Sequence, residues 1–278
     1  MPELLPEDYK EPVCPACTDF YEPDGEAHVI PIPIARVLDR LDRYFDRNDV
    51  AGAQRHLEGW LEQARAGHDR RGELAVLSEL VGLLRKRGLK EPAMAGVQRI
   101  DELLDSLSLR DSVTGGTMLL NAGTVCQTFG NSADALTRYE AAQAVFEQYL
   151  EPGDLRLGGL YNNMALPCVS LGQHDRAVGL YEKALSIMTA DPGSRPEAAI
   201  TCLNLANALE ARDGFEAAEA AVIGLLDRAE ELLFDPDNRR CGNLAFVYEK
   251  CAPTFDYYGR FITATDLRRL SEDIYAGH

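Results

Sequence analysis

Basic residues are scarce in this chain. Its 28 Lys and Arg face 45 Asp and Glu, giving a net charge of −17 and an isoelectric point near 4.7. Clustered cations are what neutralise phosphates, so this balance argues against a grip on nucleic acid or on an anionic membrane surface. No run of roughly 18 apolar residues occurs, which excludes a membrane-spanning helix. The five histidines stand apart at 28, 56, 68, 174 and 278. No G-x-S-x-G, phosphate-binding loop, H-E-x-x-H or G-x-G-x-x-G is present, so neither catalysis nor a cofactor is expected. Seven cysteines, an odd number in 278 residues, match a disulfide framework poorly. The first residues, MPELLPEDYKEP, lack the basic start and apolar core of an export signal. A cytosolic protein with reduced thiols is the expectation.

What is present is a globular composition, 46% hydrophobic and 26% charged. Residues 1–33 differ from the rest. They hold eight acidic residues and one Lys, and seven of the 14 prolines. Proline removes a backbone donor and biases the residue before it away from helix. An irregular acidic arm is expected here. Its end, Val29-Ile30-Pro31-Ile32-Pro33-Ile34, is apolar enough that it should pack on something.

From residue 34 to about 275 apolar residues recur at three- and four-residue spacing, which predicts helices and no strands. Short Gly- or Asn-centred breaks, as helix C-termini require, interrupt them at 48, 88, 130, 172, 213 and 259. The intervals are 40, 42, 42, 41 and 46 residues. A nearly fixed period of this size marks a stacked repeat. Five residues after each break comes a small residue: Ala53, Ala93, Ala135, Ala177, Ala218 and Ala264. Four residues later a larger one follows: Leu57, Val97, Tyr139, Tyr181 and Val222, but Arg268 in the last unit.

The clearest unit, LYNNMALPCVSLGQHDRAVGLYEKAL at 160–185, resembles the tetratricopeptide repeat. The residues that carry the likeness are Ala165, Gly172, Ala177, Tyr181 and Ala184. The long period is similar to that of kinesin light chains and of bacterial peptide-sensing regulators. The resemblance implies an all-α, right-handed superhelical stack of five or six antiparallel helix pairs over 34–275. Ala165 and Ala177 would let two helices approach, and the Tyr181 ring would fill the gap to the next pair. Departures are Trp60 in place of a small residue, and Pro167 and Pro253 inside first helices, where proline bends the chain.

Cys126, Cys168, Cys202 and Cys251 fall on packed positions and read as core, where a free thiol acts as a small hydrophobe. Cys241, near a helix start, carries no signal. Cys14-Pro15-Ala16-Cys17 is a weak candidate metal pair, because a structural zinc needs two further N or S ligands and no second C-x-x-C exists. A Pro-containing turn is the preferred reading.

In such a stack the first helices of the pairs line the concave face. Nine residues before each break the chain reads Asp39, Glu79, Asn121, Asn163, Asn204 and Lys250. Three Asn in a row at one position need a reason, since Asn is a mediocre helix former. An amide offers a donor and an acceptor together and so matches a peptide backbone. The resemblance implies the same role. Candidate peptide-binding residues are therefore Asn121, Thr124, Asn163, Asn204, Asn207 and Lys250, with Gln127 a groove neighbour. The competing reading is that each Asn bonds a neighbouring helix and fixes the stack. Asp39, Asp42 and Asp46 opposite Lys250 would give the groove polarity, although a solvated face explains them equally well. The expected function is a non-catalytic module binding a protein or peptide, with the net charge favouring a basic one. Alternatives are a self-associating scaffold, a homo-oligomer built through the arm, or an autoinhibited peptide-sensing regulator acting through protein contacts.

Overall fold

The computed structural model describes residues 29–47 and 49–277. Cys14, Cys17, His28, Asn48, His278 and most of the acidic arm lie outside the described residues, so the metal-pair expectation does too. The helical periodicity resolves into twelve helices, with no strand among the described residues. They are α1 (Ile34–Asp46), α2 (Val50–Ala66), α3 (Arg70–Lys86), α4 (Lys90–Ser106), α5 (Val113–Thr128), α6 (Ser132–Tyr149), α7 (Leu155–Ser170), α8 (His174–Met188), α9 (Arg195–Asp213), α10 (Phe215–Leu233), α11 (Gly242–Tyr257) and α12 (Phe261–Tyr275). Consecutive helices pair, giving six antiparallel hairpins in an all-α repeat stack.

The chain divides into two compact units, Met1–Arg110 with α1–α4 and Asp111–His278 with α5–α12. In each hairpin turn from the second onward a glycine takes the left-handed conformation: Gly88, Gly130, Gly172, Gly214 and Gly259, at φ of 70°, 83°, 74°, 81° and 77°. An L side chain at such a φ is strained, so glycine is the residue the turn selects. In the fifth hairpin the residue that turns the chain is thus Gly214 rather than Asp213. Four helix starts carry a side-chain cap. Asp49, Asp69, Ser112 and Asp154 accept from the amides of Gly52, Gly72, Gly115 and Arg156 at 2.7, 2.8, 3.1 and 2.9 Å.

Packing follows the repeat register. Ala53, Ala93, Ala135, Ala177, Ala218 and Ala264 are all buried, five of them completely. Leu57, Val97, Tyr139, Tyr181 and Val222 are likewise buried. In the last hairpin the buried residue is Leu267, one place before Arg268, whose guanidinium pairs with Asp256 at the surface. Cys126, Cys168 and Phe255 occupy one equivalent position, four residues before Gly130, Gly172 and Gly259, and all three are buried. Each buried aromatic ring removes roughly 150–250 Å² from water, worth about 1.5–3 kcal/mol. Pro167 and Pro253 sit inside α7 and α11, and both helices run through them.

In the first unit, the apolar stretch Val29–Pro33 packs on its own chain. Ile30 N–H donates to Gly67 O at 2.8 Å, and Ile32 N–H donates to Asp69 Oδ2 at 2.9 Å. The segment is therefore seated on the α2–α3 corner. Within that unit Glu73 is 3% exposed and bridges Arg65 and Arg99, each at 2.9 Å. Burial opposes its ionisation, but hydrogen bonds and charge from the two arginines outweigh it and hold the carboxyl below its usual range.

Candidate functional site

In the second unit α5 lies against α7, α7 against α9 and α9 against α11, more closely than the second helices of the pairs approach one another. The first helices therefore stack directly on one another along this unit. Asn121, Asn163 and Asn204 each lie 14 residues before the buried alanine of their hairpin (Ala135, Ala177, Ala218), so they share one packing register. All three are half-buried. Lys250 holds the same register in α11, is exposed, and lays its ammonium 5.5 Å from the Phe246 ring centre.

The amides on this face link neighbouring helices. Asn204 Nδ2 donates to Asn162 Oδ1 at 3.2 Å, and the Thr201 hydroxyl lies at the same distance from that oxygen. Asn162 Nδ2 lies 3.3 Å from Asn163 Oδ1. Gln127 Nε2 donates to Ser170 Oγ at 3.2 Å, while Gln127 Oε1 is buried without a partner among the described residues. Glu197 accepts from Asn243 at 2.9 Å. These bonds leave hydrogen-bonding capacity. An Asn amide has two N–H donors and two acceptor positions. Asn204 spends one donor on Asn162, and Asn163 spends one acceptor position. Pro167 also removes the backbone donor that would meet the Asn163 carbonyl one turn back. Thr124 differs, because its hydroxyl is consumed. It donates to Leu120 O at 3.0 Å and accepts from Tyr139 Oη at 3.1 Å. Its place is against the core tyrosine.

Asn207, one turn beyond Asn204, is exposed and edges a cavity of about 550 Å³ between α9 and α11. The other lining residues are Glu210, Ala211, Pro253, Thr254 and Tyr257. Tyr257 Oη donates to Glu210 Oε1 at 2.8 Å, and Tyr258 Oη donates to Glu210 Oε2 at 2.7 Å. Tyr258 Oη also lies 3.1 Å from Asn207 Oδ1. The Tyr257 and Tyr258 rings meet edge to face at 4.9 Å, and Phe215 stacks on Tyr258 at 6.3 Å. Burial, then the Glu210 charge, push the Tyr258 hydroxyl well above its ordinary range, so it remains a donor at neutral pH.

Sequence reasoning missed Asn162, Glu210, Tyr257 and Tyr258. The Asn162-Asn163 doublet and the tyrosine doublet before Gly259 were the available signals. The buried thiols behave as core. Burial pushes Cys202 up to about 11 and Cys251 up to about 12. Among the described residues no group of three His, Cys, Asp or Glu side chains converges to hold a metal ion. No helix among them is long and apolar enough to cross a membrane.

Residues 116–190, which span α5 to α8, match the family model described as tetratricopeptide repeat. No curated protein matches the sequence. Among solved structures, that of BtubC (BKLC) from P. vanneervenii superposes with a TM-score of 0.60 at 21% identity, over 74% of this chain and 84% of that one. A putative kinesin light chain with nearly identical TPR-like repeats from Podosopora anserina gives 0.52 at 16% identity, over 73% and 95%. A Rap protein complexed with competence and sporulation factor gives 0.57 at 13% identity, over 88% of this chain and 65% of that one. At these identities the likeness is one of fold.

Proposed function

We propose that this chain, a tetratricopeptide-repeat stack, is a non-catalytic binding module that holds an extended segment of a protein or peptide along the inner face of its second unit. The observation that carries this reading is the set of half-satisfied amides on the first helices of this unit. Asn163 keeps both side-chain N–H groups, Asn204 keeps one, and the Gln127 oxygen is buried without a partner. The Gln127 oxygen, buried in that state, incurs a desolvation cost, and the spare N–H donors of the half-buried Asn163 and Asn204 are open to a peptide backbone. The Rap neighbour, solved with competence and sporulation factor, is a precedent for a ligand on this fold. The bonds between Asn162 and Asn204 also support a structural share for these residues, and the two roles coexist.

The ligand would be basic, since residues 111–278 hold 24 Asp and Glu against 13 Lys and Arg. The test is selection of 12-residue peptides from a displayed random library with the full chain as bait, followed by titration of the winners. Binders that weaken at least tenfold against Asn163→Ala/Asn204→Ala support the reading. A library that yields no binder contradicts it.

Self-association is the second reading. It rests on Phe261 and Ile262 at the start of α12, which are 64% and 82% exposed. Sedimentation of the full chain decides it: a dimer that Ile262→Glu dissociates would support it.

A further inference from the structure

We infer that the cavity between α9 and α11 is the specificity pocket of this face, and that it takes the guanidinium of an arginine in the bound segment. The inference rests on the binding reading above and adds the chemistry of the anchor. Glu210 is the counter-ion. Its carboxylate has roughly four acceptor positions, and the two tyrosine hydroxyls use two of them. No Lys or Arg among the described residues pairs with it. Several neighbouring carboxylates are already engaged, Asp227 and Glu230 by Arg260 and Asp256 by Arg268, whereas Glu210 is held between two tyrosines at a cavity. Lys250, one turn before Pro253 on α11, directs its ammonium back over Phe246 rather than toward the cavity.

The walls suit a planar cation. Tyr257 is 68% exposed although its hydroxyl is tied down, so its ring stands fixed at the cavity edge. A guanidinium stacks on such a ring and reaches a carboxylate bidentately, which a lysine ammonium does not do. Asn207 at the rim supplies an amide to the segment's backbone beside the anchor. The two tyrosines hold Glu210 in place before the ligand arrives, so little side-chain entropy is lost on binding.

The experiment uses the same displayed 12-residue library on the full chain and on Glu210→Gln. Gln keeps shape and one acceptor oxygen while removing the charge, and an unchanged melting curve checks that the fold tolerates the tyrosine bond this gives up. The expected result is enrichment of arginine at one position with wild type and loss of that enrichment with Glu210→Gln. Replacing that arginine by citrulline in a selected peptide should weaken wild-type binding at least tenfold and leave Glu210→Gln binding unchanged. Binders that depend on Asn163 and Asn204 yet show no arginine preference would overturn the pocket assignment and leave the groove reading standing. Lysine and arginine enriched equally would overturn the guanidinium geometry. No binders at all would remove the groove reading itself.

Discussion

Adding one methyl group to different glycines of the second unit should change stability with opposite signs. Gly123 in α5 faces Tyr139. A Cβ placed there would lie 2.7 and 2.9 Å from two ring carbons, where ordinary carbon contacts are about 3.5–4.0 Å. The ring has little room to retreat: it is fully buried, and its hydroxyl is held by Thr124. Gly→Ala in a helix gains about 1 kcal/mol from propensity. Overpacking costs about 1–3 kcal/mol. The clash should win, and Gly123→Ala should destabilise the α5–α6 hairpin by up to about 2 kcal/mol. At Gly179 in α8 nothing lies within 4 Å of the added methyl, so Gly179→Ala should stabilise by about 0.5–1 kcal/mol. Repeat stacks open locally, so a single melting temperature blurs the effect. Hydrogen exchange of hairpin amides read by mass spectrometry reports it directly. Protection in α5–α6 should fall with Gly123→Ala, and protection in α7–α8 should rise with Gly179→Ala. A rise in both would refute the claim that this glycine is dictated by the tyrosine ring.

The other predictions concern the first unit and the thiols. Glu73→Gln should destabilise the α2–α4 region by about 1–2 kcal/mol, below the figure for a fully buried pair because both arginines are about half exposed. Since the Glu73 pKa is lowered in the folded state, its contribution is present above the unfolded carboxyl value and is lost as pH falls through the folded one. Denaturant titrations from pH 7 to 3 should show that loss, and Glu73→Gln should flatten it. Glu79 has the opposite sign, because burial, then Asp42, raise its pKa. Glu79→Gln should stabilise the unit at pH 7, by an increment that shrinks as the pH is lowered. Asp69→Ala removes a helix cap and the anchor of Ile32 together, so it should cost about 2 kcal/mol and expose residues 29–33 to proteolysis. With Cys14→Ser/Cys17→Ser, native labelling with a disulfide reagent should find one accessible thiol, Cys241, while the four buried ones react only on unfolding.

The repeat was legible because it is written in local chemistry. A left-handed turn demands glycine, and close helix approach demands alanine, so Gly88, Gly130, Gly172 and Gly259 and their following alanines display the period. The turns between hairpins were harder to see. His68 and Ser108 also adopt left-handed backbone, at φ of 53° and 52°, without the residue that announces it. The side-chain register survived the one-residue shift at Gly214, because α9 keeps its packing relative to Ala218 rather than to the turn. The Asn positions were visible for the same reason. Their bonding was not: Asn204 reaches Asn162, the neighbour of its register mate Asn163. The Glu210 pocket left only the tyrosine doublet as a linear trace, since the carboxylate lies 47 and 48 residues from those two tyrosines in the chain. Proximity across one repeat emerges only when adjacent first helices are stacked.

The central claim is that the inner amides of the second unit hold a peptide backbone. It is tested most directly by titrating a library-selected peptide into the full chain and into Asn163→Ala/Asn204→Ala, with hydrogen exchange confirming an intact fold. Asn→Ala gains helix propensity of up to about 0.7 kcal/mol at each site, which offsets the two bonds lost, Asn204 to Asn162 and Asn162 to Asn163. The variant should therefore fold as well as wild type and bind at least tenfold more weakly. An affinity equal to wild type, with the fold intact, would contradict the account and leave those asparagines as ties between helices.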